Sequence, residues 1–143
     1  MKKIYSLITI GFIALFSLSL TSCNNDDYDA WLLDGYWEGT ATSVGWRSET
    51  FNYVDFYFRK GSSYGKGIGY ERDYDAFGEL VAESRFAYEV VNGSIKLVYE
   101  SPRVVVWIDS WRVYDNDSKL DAVFRYNSNT VRLYLDRKSG WRY

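Results

Sequence analysis

The sequence has 143 residues, 47% hydrophobic, 25% charged and 20% aromatic, with a formal charge of −2 at neutral pH. That allows one globular domain and argues against disorder for most of the chain. There is no His and only one Cys, Cys23, which removes the common zinc sets, Ser-His-Asp and Cys/His nucleophile pairs, and any internal disulfide. The small negative charge offers nucleic acid no electrostatic footprint. Six Trp, fourteen Tyr and eight Phe against one Pro and one Met favour strands, because flat and branched side chains suit a pleated, half-buried surface.

In chain order, the basic head Met1-Lys2-Lys3 leads into an apolar run from Ile4 to Leu20 that contains Ser6, Thr9, Gly11, Ser17 and Ser19. It has the layout of a secretory signal and is short and polar for a membrane span. The run ends Leu20-Thr21-Ser22-Cys23, which resembles the bacterial lipobox. That resemblance implies a lipid on the Cys23 sulfur, cleavage just before it, and residues 1–22 as a signal peptide. Two or more acyl chains suffice to hold a protein on a bilayer, so the membrane partner is expected to be reached through Cys23. Asn24-Asn25-Asp26-Asp27-Tyr28-Asp29 is acidic and aperiodic, and residues 23–34 are expected to form a flexible acidic tether. The same run resembles the acidic export signal of Bacteroidetes lipoproteins, which implies the outer face of the outer membrane. The chain after residue 22 carries a net charge of −4.

Residues 35–143 are expected to form one domain. Eight period-two runs separated by turn residues recur there: Gly35 to Thr42, Glu49 to Phe58, Tyr64 to Arg72, Ser84 to Val91, Ser94 to Glu100, Arg103 to Tyr114, Lys119 to Tyr126 and Asn129 to Arg137. Such spacing is that of an all-β fold, and sequential hairpins close naturally into a single antiparallel eight-stranded up-and-down barrel. Asn92-Gly93 is the clearest turn, both residues tolerating positive φ. Alternation places Trp37, Gly39 and Ala41 inward on the first run. On the others it places inward Val54, Phe56 and Phe58; Ile68 and Tyr70; Phe86, Tyr88 and Val90; Ile95, Leu97 and Tyr99; Val106 and Ile108; Leu120, Ala122, Phe124 and Tyr126; and Val131, Leu133 and Leu135.

Gly35-Tyr36-Trp37 opens the first strand after a possible helical turn at Ala30 to Asp34, and resembles the Gly-x-Trp opening of lipocalins. The chain is also similar to small Bacteroidetes lipoproteins described as lipocalin-like, with Gly- and Tyr-rich strands such as Gly67-Ile68-Gly69-Tyr70-Glu71. The resemblance implies that Trp37 plugs the barrel base beneath an Arg of the last strand. Of the two candidates, alternation puts Arg132 outward and Arg137 in phase with the interior.

Gly61-Ser62-Ser63-Tyr64-Gly65-Lys66 is one residue short of a phosphate loop and lacks a following helix. Asp73-x-Asp75 with Gly78 imitates a calcium loop, but Phe77 and Ser84 stand where oxygen ligands are needed. No metal or cofactor is therefore expected. Paired carboxylates are the remaining catalytic chemistry, as in a glycoside hydrolase; Glu38, Glu49, Asp55, Glu71 and Glu89 sit on strands, yet alternation throws Glu38, Asp55 and Glu89 outward into water, and no enzyme is expected. Two binding readings remain for a lipid-anchored, non-catalytic protein of the cell envelope. In one, the barrel takes a small apolar ligand, with Trp46 and Phe77 at the mouth and Tyr88 and Tyr99 inside. In the other, outward Tyr36, Tyr53, Tyr57 and Tyr134 recognise a glycan or an envelope protein, flat rings with hydroxyls giving apolar contact and hydrogen bonding together.

Overall fold

The computed structural model describes residues 25–44, 53–126 and 129–139. A short helix, α1 (Asp26–Leu33), precedes eight strands: β1 (Gly35–Val44), β2 (Tyr53–Lys60), β3 (Lys66–Tyr74), β4 (Leu80–Val91), β5 (Ser94–Glu100), β6 (Arg103–Tyr114), β7 (Lys119–Tyr126) and β8 (Asn129–Lys138). They form a closed antiparallel barrel in sequence order. Trp37 lies opposite Phe56 on one side and Arg137 on the other, so β1 joins β2 to β8 and no sheet edge is left to template a stray strand. The β4–β5 turn has both Asn92 and Gly93 at positive φ, 51° and 77°, as a two-residue type I′ connection requires. Outward positions are charged and cross-strand paired, as in Arg85–Glu100, Arg112–Asp121 and Lys119–Asp136, the opposite of a lipid-facing barrel wall.

The β2–β3, β4–β5 and β6–β7 turns lie at one end of the barrel, and α1 packs there against β2, β3 and β4. The stretch expected to be a tether is thus a docked plug from Asp26 onward. Its buried residues are Asp26, Ala30 and Leu33, spaced to fall on one face of a helix. The acidic residues bind turns that are distant in sequence. Asp26 accepts from the Asn92 and Gly93 N–H groups at 3.3 and 3.2 Å, and Asp27 accepts from the Gly65 N–H at 3.1 Å and pairs with Lys60 at 3.0 Å. Hydrogen bonds from Lys60 and from Gly65 hold the Asp27 carboxyl below the usual range. These bonds use the carboxylates' attraction to backbone N–H groups, which no local periodicity reveals.

Trp37 is fully buried, and its Nε1 donates to the Leu33 carbonyl at 2.8 Å. The Arg137 guanidinium lies 4.4 Å from the Trp37 ring centroid and donates to the carbonyls of Leu32, Asp34 and Asp117. α1 has no basic residue in its last turn. Arg137 therefore supplies from β8 the cation that unsatisfied helix C-terminal carbonyls favour.

The inward sets of β2, β5 and β8 and of the lower part of β4 lie as alternation places them. β3 does not. Ile68 is exposed on the outer face and Tyr70 sits outside beneath Arg85, while Gly67 and Gly69 face inward. A Cβ on Gly69 would overlap the Phe86 ring, and one on Gly67 the Tyr88 ring; the apolar residues were the wrong guide because the glycines yield their interior volume to rings from β4. β6 also changes phase. Its register with β7 shifts between Ile108 and Ser110, a bulge that adds one residue and reverses the faces beyond it, so Trp111 and Val113 join Val106 and Ile108 against the core.

Two substitutions test this packing in urea unfolding. Trp37→Ala is expected to cost about 3 to 5 kcal/mol as a large core truncation. Gly69→Val is expected to cost at least as much as typical overpacking, about 1 to 3 kcal/mol, whereas Ile68→Val on the outer face should be nearly silent.

Candidate functional site

The barrel interior is filled unevenly. Near α1 a cluster of rings packs edge to face: Phe58 lies 5.4 Å from both Phe86 and Tyr88, and Phe86 lies 5.5 Å from Tyr99. Above this floor is a cavity of about 290 Å³ that reaches the Ser101-Pro102 turn at the opposite end. Its walls are mainly apolar, with Val54, Phe56, Val106, Phe124, Val131 and Leu133 among them. Glu71, Asp73, Ser84 and Tyr99 interrupt them.

Glu71 and Asp73 are the next two inward positions of β3 after Gly67 and Gly69. The Tyr99 hydroxyl donates to the Glu71 carboxylate. Glu71 and Asp73 are close enough to share a hydrogen bond, yet the buried Oδ1 of Asp73 receives no other protein donor. Burial pushes the Glu71 carboxyl up, the Asp73 charge adds to this, and the Tyr99 hydrogen bond opposes it. Burial raises Asp73 as well, with the Glu71 hydrogen bond opposing, and burial with the Glu71 charge raises the Tyr99 phenol. Two carboxylates this close in a poorly solvated wall do not both ionise freely, so the pair takes up protons more readily than two separate carboxyls.

The residues singled out in the sequence fall in several places. Tyr99 lines the cavity. Tyr88 does not; it is buried in the ring cluster below, against Phe58 and Gly67. Phe77, at the β3–β4 connection, is 91% exposed and stands clear of the cavity. Trp46, in the β1–β2 connection, and Cys23 lie outside the described residues. Trp37 and Arg137 form the base clamp.

The four outward tyrosines do not make one patch. Tyr36 is buried on the outer face beside Asp55, and burial with that carboxylate holds its phenol well above the usual value. Asp55, expected in water, is itself only 7% exposed and accepts from the Tyr74 hydroxyl at 2.8 Å. Tyr53 and Tyr134 are exposed and flank Thr40. Half-buried Tyr57 pairs with Tyr36 farther down, and the row Asp55, Glu38 and Asp136 runs between the two groups. Alternation gives the side of the sheet but not what lies over it, and neighbouring side chains cover Tyr36 and Asp55. An open groove of about 800 Å³ runs past Tyr53, Tyr74 and Leu80. Its charged groups already serve one another, as in Lys138–Glu38, Arg72–Glu83 and Lys119–Asp136.

Sequence reasoning named Glu71 among the strand carboxylates and Asp73 and Ser84 only in a rejected calcium-loop comparison, and missed that the three meet inside the barrel. The signal was present in Lys66-Gly67-Ile68-Gly69-Tyr70-Glu71-Arg72-Asp73, provided that glycine is allowed to mark an inward position facing a ring. No protein-family model matches the chain, and neither a curated protein nor a solved structure matches it. No helix among the described residues is long and apolar enough to cross a membrane, and no group of three or more His, Cys, Asp or Glu among them is placed to hold a metal ion.

The carboxyl pair makes stability depend on pH. Because Glu71 and Asp73 bind protons more tightly folded than unfolded, stability falls as pH rises from the ordinary carboxylate range through their raised range. The melting temperature is expected to fall by several degrees between about pH 5 and about pH 9, and Glu71→Gln should flatten that slope. An unchanged slope in the variant would assign the dependence elsewhere.

Proposed function

We propose that this protein is a lipid-anchored, non-catalytic binding protein of the bacterial cell envelope, with a lipocalin-like barrel whose interior takes a small, largely apolar ligand. The observation that supports it is the cavity of about 290 Å³, enclosed by apolar strands and furnished with a few converging polar groups, as small-molecule sites are. An outer-face recognition site is weaker, since its tyrosines are divided and the charges of its groove are mutually paired. Hydrolysis is weaker too. The two carboxyls are neighbouring inward positions of one strand, side by side on the same wall, whereas glycosidases place theirs on either side of the scissile bond, about 5 to 9.5 Å apart.

Anchoring rests on the Leu20-Thr21-Ser22-Cys23 motif. Cys23 is three residues from the start of α1, a length that spans at most about 11 Å when extended. A lipid there would place the plugged base against the membrane and direct the cavity end away from it. Tyr28 and Trp31, 56% and 60% exposed and stacked 6.2 Å apart on α1, suit headgroup depth, where amphipathic rings concentrate. An outer-membrane, outward-facing location accords with the acidic residues after Cys23.

Two experiments test this reading. Cys23→Ser should accumulate as unprocessed precursor; cleavage at the same bond, with retention in the detergent phase, would refute the anchor. The neutral probe 2-phenylethanol should bind the wild-type chain in calorimetry, and Val106→Phe, which fills the cavity, should weaken it by about tenfold or more, a loss of about 1.4 kcal/mol. Equal binding by both would place the probe elsewhere.

A further inference from the structure

The interior cavity has a chemical polarity that its volume alone does not convey. Among the described residues no Lys or Arg lines it, and the charged wall they form is the Glu71 and Asp73 pair on β3. A ligand carrying a carboxylate or phosphate would meet like charge against a largely apolar wall, where the repulsion is stronger than in open water. A ligand with no N–H or O–H donor would leave the buried Oδ1 of Asp73 unmet, and an unmet buried acceptor is costly. A divalent metal is a poor match, because calcium takes six or more oxygens and the wall beyond Glu71, Asp73, Ser84, Tyr99 and the Ser101-Pro102 turn is apolar.

We infer that the cavity selects a small monoamine, an apolar body of one or two rings bearing a protonated primary amine that docks on Glu71 and Asp73. This deepens the interior-binding reading and rests on it. The cavity lies at the lower limit of the roughly 300 to 1,000 Å³ usual for small-molecule sites, which sets the ligand's size. The apolar walls take the body, and the carboxyl pair takes the ammonium. The exchange balances: the pair enters with one shared proton and one negative charge. On binding, the ammonium with its three N–H donors replaces that proton, which leaves to solvent. Both carboxylates are then ionised against one cation, so the net charge inside the barrel is unchanged. The Tyr99 hydroxyl, donating to Glu71, holds that carboxylate toward the cavity and is the other titratable group facing the pair.

The test uses the full chain and three probes of one shape: 2-phenylethylamine, neutral 2-phenylethanol and anionic 3-phenylpropionate. In calorimetry at neutral pH the amine should bind about tenfold or more tighter than the alcohol, with the acid weakest. Repeating the amine titration in buffers of different ionisation enthalpy should reveal release of about one proton. Glu71→Gln combined with Asp73→Asn should remove both the amine preference and the proton release; if the double variant fails to fold, Asp73→Asn alone should reduce both. Alcohol binding without amine preference, no proton release, or a preference that survives these variants would overturn the inference and leave the cavity reading standing. Failure of all three probes to bind the wild-type chain would overturn both.

Discussion

Arg137 joins four parts of the molecule at one point. Its guanidinium covers the Trp37 ring and donates to carbonyls at the end of α1 and in the β6–β7 turn. A cation over an aromatic face is worth about 0.5 to 2 kcal/mol, but its larger effect here is geometric. Trp37 and Arg137 are directly paired across the β1–β8 seam, the contact that turns a sheet into a barrel. The same two side chains hold the helix that closes the base. Closure, plug and core floor therefore depend on one another, and the interior has a defined bottom.

What lies above that bottom follows from β3. Its inward positions run Gly67, Gly69, Glu71 and Asp73. The glycines let the Phe86 and Tyr88 rings lie against the β3 backbone, so the lower half of an eight-stranded barrel is filled from β2, β4 and β5. The same strand then turns acidic where the rings stop, and among the described residues no large side chain crosses the space that remains. An interior of this width is usually just filled by side chains; here the volume is concentrated at one end and the polar groups at the other. This division is what makes an interior cavity compatible with a well-packed core.

The acidic residues divide into two physical roles that composition cannot separate. Asp26 and Asp27 accept backbone N–H groups of two turns and fix α1, charges used for structure. Glu71 and Asp73 lie side by side on one poorly solvated wall, where burial and each other raise their affinity for a proton, charges held in tension by the fold. A helix surface and a barrel wall impose opposite solvation on the same carboxylate, so the charge count of the sequence says little about what its acids do.

The sequence by itself determined the all-β class, the eight strands and most of the inward residues, because period-two alternation and Asn-Gly turn chemistry are local and each strand obeys them independently; that Trp37 meets an Arg came from the resemblance of Gly35-Tyr36-Trp37 to the lipocalin opening, and alternation chose Arg137 over Arg132. Tertiary structure decided the rest. The phase of β3 depends on rings from β4, the phase of the end of β6 depends on a one-residue bulge, and α1 exists through bonds to turns about 40 and 65 residues away. The covering of Tyr36 and Asp55 on the outer face, and the meeting of Glu71, Asp73 and Tyr99 inside, are contacts between strands. Alternation assigns a side chain to a face, but its solvation, its proton and its usefulness to a ligand are set by whatever the closed barrel brings opposite it.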